Sequence, residues 1–243
     1  MRVHLVASGN YHDIDFARLE LLKLLAETPE IRTSVSSDYS DLGNIVAAQL
    51  LITYTCDLVP TEEQTRELRR FVEQGGRWLA LHGTNSLLRF GDDGVCETPD
   101  EAPAFMELVG TRFSAHPPIA PYKVQVTRGD HPVTEGLRDF RVEDELYLGR
   151  RTAEIDVLMH TSFKGSCPEF RDSEWDEMEV PVLYERRLGE GAVLYLTLGH
   201  CRGHYDLQPL APFWPHPQRC SWNYPVFYEL LRRGIRWGLR HAS

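Results

Sequence analysis

Histidine is the side chain that exchanges protons near neutral pH and binds divalent metals. This 243-residue chain has ten of them. Several stand just after an apolar, strand-like run. His12 follows the run ending at Ser8, His82 follows RWLAL (77–81), and His200 follows AVLYLTLG (192–199). Each is therefore predicted at the carboxyl end of a strand, where open parallel sheets collect their ligands. The segment WLALHGTNS (78–86) carries the most information. A strand that runs into X-Gly and then a helix has the shape of a nucleophile elbow, a strained turn that presents one side chain at a helix N-terminus. Backbone N–H groups and the positive end of the helix dipole would favour negative charge there. A histidine in that place serves as a general base, a hydrogen-bond donor or a metal ligand, whereas an acyl-enzyme needs Cys or Ser.

Glu145, in Asp144-Glu145-Leu146-Tyr147, is the best candidate carboxylate, either as a general acid/base or as a metal ligand. A salt bridge at a strand entrance is the competing reading. The expected catalytic set is His82, Glu145 and His200. Asn10, His12, Tyr54, His116 and Tyr147 are the expected substrate contacts, His116 reaching in from a flap. His12, His82, His116, Glu145 and His200 also offer donors that divalent metals favour, so a divalent metal is a candidate cofactor. No HExxH or comparable local spacing supports it, and the ligands would have to converge from distant segments. His131, which precedes Pro132, and His160, inside a strand-like run, read as structural. Cys56 ends an apolar run, but no base accompanies it in sequence, which argues against a thiol nucleophile. Trp175, Trp214 and Trp222 fall in or near predicted loops, where indole rings stack on sugars, although ordinary packing is the simpler reading.

The elements that must position these residues alternate in the first third of the chain. RVHLVAS (2–8) reads as a buried strand, 15–27 as a helix stopped by Pro29, IRTSVSS (31–37) as a strand, and QLLITYT (49–55) as a third. Thr61 and Gln64 form a capping box for a helix that ends at Gly75-Gly76, and RWLAL resumes as a strand. Strand–helix–strand with short connections predicts a largely parallel sheet between helices. The second half is richer in strands: 122–128, 145–150, 156–162, 181–188 and 192–199. Leu188-Gly189-Glu190-Gly191 is a hairpin signal. Residues 224–239 have helical spacing. Residues 91–103 and 163–179 read as exposed loops long enough to act as flaps. The expected fold is thus α/β, one domain over 1–243, with a mostly parallel central sheet flanked by helices and antiparallel strands added in the second half.

Composition narrows the partners. The formal net charge of -10 repels phosphate backbones, so nucleic acid is not expected. No apolar stretch is long enough to span a bilayer and the N-terminus has no signal-like core, so the expected location is cytoplasmic, with no membrane partner. The five cysteines form no CxxC pair, so neither a disulfide framework nor a zinc knuckle is expected. A homodimer is a reasonable expectation for an acidic α/β domain of this size.

Several separated segments resemble the ThuA (trehalose-utilisation) family. They are VPTEEQTRELRRFVEQGGRWLALHGTNS (59–86), HPVTEGLRDFRVEDELY (131–147), PVLYERRLGEGAVLYLTLGH (181–200), NYPVFYELLRRGIRWGL (223–239) and GNYHD (9–13). The resemblance covers nearly the whole chain, in order. It implies a flavodoxin-like fold of the class I glutamine-amidotransferase kind. The family generally lacks the amidotransferase Cys-His-Glu triad, and His82 stands at the Cys position here, so glutamine hydrolysis is not expected. It also implies a place in sugar metabolism, with a sugar-like ligand. The leading expectation is acid/base chemistry on a sugar or keto-sugar by hydrolysis, elimination or isomerisation, with the helix after His82 stabilising negative charge. The alternative is a non-catalytic carbohydrate- or metabolite-binding module on a degenerate amidotransferase fold.

Overall fold

Apolar residues on both faces of a strand require a layer above and a layer below it, and the first half of the chain supplies both. In this computed structural model, which describes residues 1–239, β1 (Arg2–Gly9) leads through α1 (Ile14–Ala26) to β2 (Arg32–Ser36). α2 (Leu42–Val46) precedes β3 (Leu50–Cys56), and α3 (Glu62–Glu73) precedes β4 (Arg77–Leu81). The predicted capping box starts α3: the Gln64 backbone N–H donates to Thr61 Oγ1, and the Thr61 N–H donates to Gln64 Oε1. After β4 come the short pair β5 (Arg89–Phe90) and β6 (Cys96–Glu97), then α4 (Pro103–Val109), β7 (Thr111–Ala115), β8 (Ala120–Val126), β9 (Phe140–Asp144) and β10 (Leu148–Arg151). The chain continues as β11 (Asp156–Ser166), β12 (Glu174–Leu188), β13 (Gly191–Leu196) and α5 (Pro225–Leu239).

The main sheet has nine strands in the order β2-β1-β3-β4-β13-β12-β11-β8-β9. The first five pair in parallel. The last four continue the sheet antiparallel, starting from the β12–β13 hairpin. Side chains alternate across the parallel half, as a period of two demands. Leu5, Leu79 and Leu194 face α1 and α5 and pack with Leu21, Leu25, Leu231 and Ile235. Val6, Trp78 and Val193 face α3 and α4 and pack with Leu68, Phe71 and Phe105. All five parallel strands end on one edge, and the order reverses between β1 and β3, so a crevice opens there.

Three sequence expectations are corrected. Residues 163–179 are not a loop: β11 and β12 run through most of the stretch as a long ribbon. Each strand hydrogen-bonds the other, so the acidic side chains can face water without a continuous aliphatic run, while Phe163, Trp175 and Met178 rest on a small third core. The expected strand 145–150 is broken, since Glu145 to Tyr147 lie between β9 and β10. No α-helix follows His82. Residues His82–Asn85 make one 3-10 turn, and Ser86 leaves it extended. The dipole of a following helix therefore contributes nothing at His82.

Candidate active site

His82 occupies the bend at the end of β4 with φ 43°, a left-handed conformation that is strained for a residue with a Cβ. The fold holds it there. Its carbonyl accepts the Tyr195 hydroxyl, which in turn accepts the Asn85 N–H. Gly83 must be glycine, because a Cβ would stand 2.6 Å from the Thr55 carbonyl oxygen at the end of β3. The elbow geometry inferred from the sequence is thus present without its helix.

Three other segments meet it. The loop after β1 brings His12. The turn after β13 brings His200, with Gly199 at φ 130°. Glu145 arrives from the far half of the chain, one residue beyond β9. What places it is Asp144, a fully buried carboxylate that accepts the backbone N–H groups of Gly199 (2.9 Å), His200 (3.1 Å) and Glu145 (2.7 Å), and the hydroxyl of Ser221. The ends of β9 and β13 are therefore tied to one carboxylate, although three strands separate them in the sheet.

The Glu145 carboxylate is the hub. Its Oε2 lies 3.2 Å from His200 Nδ1, 3.5 Å from His82 Nε2 and 3.9 Å from His12 Nε2; its Oε1 lies 3.2 Å from His116 Nε2. His12 Nε2 and His82 Nε2 are 2.9 Å apart. One donor atom from each of His12, His82, Glu145 and His200 falls within 4.8 Å of all the others, so these four could hold a metal. Burial would raise the Glu145 carboxyl, but the surrounding imidazoles, His116 and His200 first, override it, and the carboxyl lies well below its ordinary range. Burial, then the neighbouring His82 and His200, push His12 well down. Burial, reinforced by Glu145, holds the Tyr147 phenol protonated.

A cavity of about 750 Å³ opens over this cluster. His12, His116, Glu145 and Tyr147 reach its wall, while His82 and His200 lie behind it, fully buried. The rest of the wall combines aromatic rings (Tyr11, Phe90, Phe113, Phe170 and Trp214) with aliphatic side chains such as Leu88, Ile119 and Leu210, and with the charges of Asp93, Glu169 and Arg202. Both stretches expected to act as flaps contribute, through residues 93–96 and 168–170.

Of the residues singled out in the sequence, His12, His82, His116, Glu145, Tyr147 and His200 come together. Tyr54 and Asn10 do not reach the cavity. The Tyr54 hydroxyl donates to the Gly199 carbonyl behind His82, and Asn10 turns its side chain to Asp57 while its carbonyl faces His12 Nδ1. His131 pairs with Glu185 away from the site, and His160 meets Thr127, both as structural groups. Trp214 lines the cavity, but Trp222 is core and Trp175 sits on the ribbon. Cys56 is buried, with its thiol pushed well up by burial. Asp144, Arg202, Gln218 and the cavity phenylalanines were missed, and only Asp144 had a signal, its place beside Glu145.

The model of the family described as ThuA, trehalose utilisation, matches residues 2–211. No curated protein matches the chain. Among solved structures, a ThuA-like protein from Bacteroides uniformis superposes with a TM-score of 0.68 at 16% identity, over 98% of this chain and 91% of the other. One from Parabacteroides merdae gives 0.61 at 17% identity, over 98% and 89%. A Salmonella typhimurium protein described as cytoplasmic gives 0.53 at 13% identity, over 98% and 96%. At these identities the superpositions speak for the fold.

Proposed function

Because the chain belongs to the ThuA (trehalose utilisation) family, we propose that it is an enzyme of carbohydrate metabolism that performs acid/base chemistry on a sugar or keto-sugar in the cavity above His82. One observation carries the reading: His116 Nε2 stands 3.2 Å from Glu145 Oε1 on the wall of a cavity that also carries several aromatic rings. A ligand oxygen entering past Tyr147 meets this pair first. His116, partly exposed, exchanges protons with the ligand, and Glu145 Oε1 orients it. His82 and His200, fully buried, act from behind rather than by touching the ligand. Rings such as Trp214 and Phe170 suit the apolar faces of a sugar. No thiol takes part: Cys56 and Cys201 are buried, with pKa values raised by burial. The reaction is accordingly a hydrolysis, elimination or isomerisation rather than glutamine hydrolysis.

The parallel half, in the order β2-β1-β3-β4-β13, is read as a flavodoxin-like, amidotransferase-like sheet. Among the described residues no helix is long and apolar enough to cross a membrane. The description of the Salmonella protein supports a cytoplasmic location.

The test is turnover of a panel of disaccharides and keto-sugars by separately purified His116→Gln and Glu145→Gln proteins. A positioned proton-transfer group contributes about 10²–10⁴-fold, so losses of at least about 100-fold in kcat are expected. Full rates in both variants would remove the pair from the mechanism. The sealing of His82 and His200 also fits a binding module that performs no reaction. Calorimetry that finds sugar binding without product would establish that reading instead.

A further inference from the structure

In neutral rings the inward nitrogens of the histidine cluster are all lone pairs, and this follows from their outer partners. His82 Nδ1 is 2.8 Å from the Thr197 carbonyl oxygen and His12 Nδ1 is 3.0 Å from that of Asn10. A carbonyl can only accept, so each ring carries its proton on Nδ1 and turns a bare Nε2 inward. His200 Nε2 is 2.8 Å from Gln218 Oε1. The same oxygen accepts Arg202 Nη1, which fixes the amide with its oxygen toward both donors. His200 therefore donates from Nε2 and turns a bare Nδ1 inward. That atom, in a side chain with no exposure, has no hydrogen-bond partner among the described residues, although Glu145 Oε2 stands 3.2 Å away.

Three lone pairs and a carboxylate oxygen thus face one another in a buried space, with His12 Nε2 and His82 Nε2 only 2.9 Å apart. Acceptors at such distances repel unless a cation lies between them. A proton shared by His12 and His82 would settle one pair and leave His200 Nδ1 facing a carboxylate oxygen with no donor between them. One divalent ion settles all four. Ligand atoms at about 2.0–2.2 Å from a tetrahedral ion stand roughly 3.3–3.6 Å apart. Four of the six separations, 2.9, 3.2, 3.5 and 3.9 Å, bracket that spacing, and all six lie within 4.8 Å. Each histidine also has the outer hydrogen bond that fixes a metal-binding tautomer.

We infer that His12 Nε2, His82 Nε2, His200 Nδ1 and Glu145 Oε2 form a binding site for one divalent transition-metal ion. The three-imidazole, one-carboxylate set suits a borderline ion of the zinc, cobalt, iron or manganese class. His82 and His200 close the site from behind, and His12 and Glu145 reach the cavity. Four protein donors fill a tetrahedral ion, so a water or a hydroxyl or carbonyl oxygen of the ligand would enter as a fifth donor from the cavity side. Glu145 Oε1 stays with His116. The inference goes beyond the proposed reaction and stands whether or not a sugar is turned over.

The experiment uses the untagged full-length chain, stripped with a chelator and titrated with Co²⁺ and, separately, Zn²⁺. One equivalent of each is expected to bind, cobalt developing the visible absorption of a low-coordinate site. Zinc at about 100 times its Kd should raise Tm by roughly 5–10 °C for a chain of this size. Gln218→Leu, which removes the outer partner of His200 together with an Arg202 contact, should weaken binding about 10–100-fold and, by stranding the buried His200 N–H, lower the metal-free melting temperature by a few degrees. His12→Gln and His200→Gln should lose the cobalt spectrum while keeping the native circular dichroism. Failure of wild type to bind either ion saturably, with no melting shift, overturns the site, and so does an unaltered cobalt spectrum in both histidine variants. None of these readouts uses sugar turnover, so a metal-loaded protein inert on every sugar would overturn the proposed reaction alone.

Discussion

Asp144→Asn isolates the tie that makes the site. Asp144 Oδ1 accepts the N–H groups of Glu145 and His200, and Oδ2 accepts the Gly199 N–H and the Ser221 hydroxyl. Asparagine has the same shape but must turn its NH₂ toward one of these pairs. It costs least facing Gly199 and Ser221, because the hydroxyl can rotate to accept. The Gly199 N–H is then stranded in a dry interior. A lost hydrogen bond to a charged group costs about 1.5–3 kcal/mol and a stranded buried donor about 1–3 kcal/mol. With some overlap between the two, the expected destabilisation is about 3 kcal/mol. For a chain of this length that is a fall in Tm of roughly 6–12 °C. Reversible urea denaturation should show it as a lower midpoint with an unchanged m-value. Ser221→Ala removes only the donor that can adapt and should cost about 1 kcal/mol. A loss below about 1 kcal/mol in Asp144→Asn would mean that the carboxylate does not hold the β9 and β13 ends together, and the account of how Glu145 reaches His200 would fail with it.

Three further outcomes follow from groups elsewhere. Glu185 is buried beside His131, Arg187 and Trp237; burial would raise its carboxyl, but His131 and Arg187 bring it from 4.5 down to about 2. The folded protein binds this proton more weakly than the unfolded chain, so the contribution, about 3 kcal/mol, is full above pH 4.5 and fades as pH falls toward 2; Glu185→Gln should flatten that limb of a denaturation-versus-pH series, and an unchanged limb would refute the assignment. Gly83→Ala would place a methyl 2.6 Å from the Thr55 carbonyl, and overpacking of this kind costs about 1–3 kcal/mol; a calorimetric scan matching wild type would mean that the elbow is looser than drawn. All five cysteines are buried, so a thiol-specific reagent at neutral pH should label the native chain slowly and leave turnover intact, whereas rapid labelling of one thiol with loss of turnover would revive a cysteine mechanism.

What was legible in the sequence was local. Each strand of the parallel half announces itself by an apolar run with a turn signal after it, so His12, His82 and His200 could be placed at strand ends from β1, β4 and β13 alone. The left-handed bend at His82 was legible for the same reason, since a strand that stops at His-Gly has few other ways to turn. The helix expected after it failed because GTNSLLRF has the composition of a helix start but no apolar face to continue one; the chain instead leaves extended, with the Ser86 carbonyl accepting the Asp57 N–H. The ribbon of β11 and β12 was misread because two paired strands satisfy each other's backbone groups and need no aliphatic pattern. Tyr54 was placed at the correct strand end but on the inner side, where its hydroxyl holds Gly199.

The position of Glu145 could not be read locally at all, and the reason bears on how the site works. Its neighbours in space, His200 and His82, are 55 and 63 residues away in sequence, and the link runs through Asp144 and the turn at Gly199. A carboxylate brought from the antiparallel half to the carboxyl ends of the parallel half converts a ring of histidines into a charged, enclosed donor set. The parallel sheet alone supplies three imidazoles whose inward lone pairs repel. The added strands supply the negative charge that lets one cation hold all four groups, and they also supply the ribbon and loop that wall the cavity. If this division of labour is right, Glu145→Gln should leave the fold and the three histidines in place yet weaken divalent-ion binding far more than Gln218→Leu does, because it removes a ligand charge rather than a ligand's outer support. Equal losses in the two variants would place the binding energy in the imidazoles and make the second half of the chain a cover rather than a partner in the site.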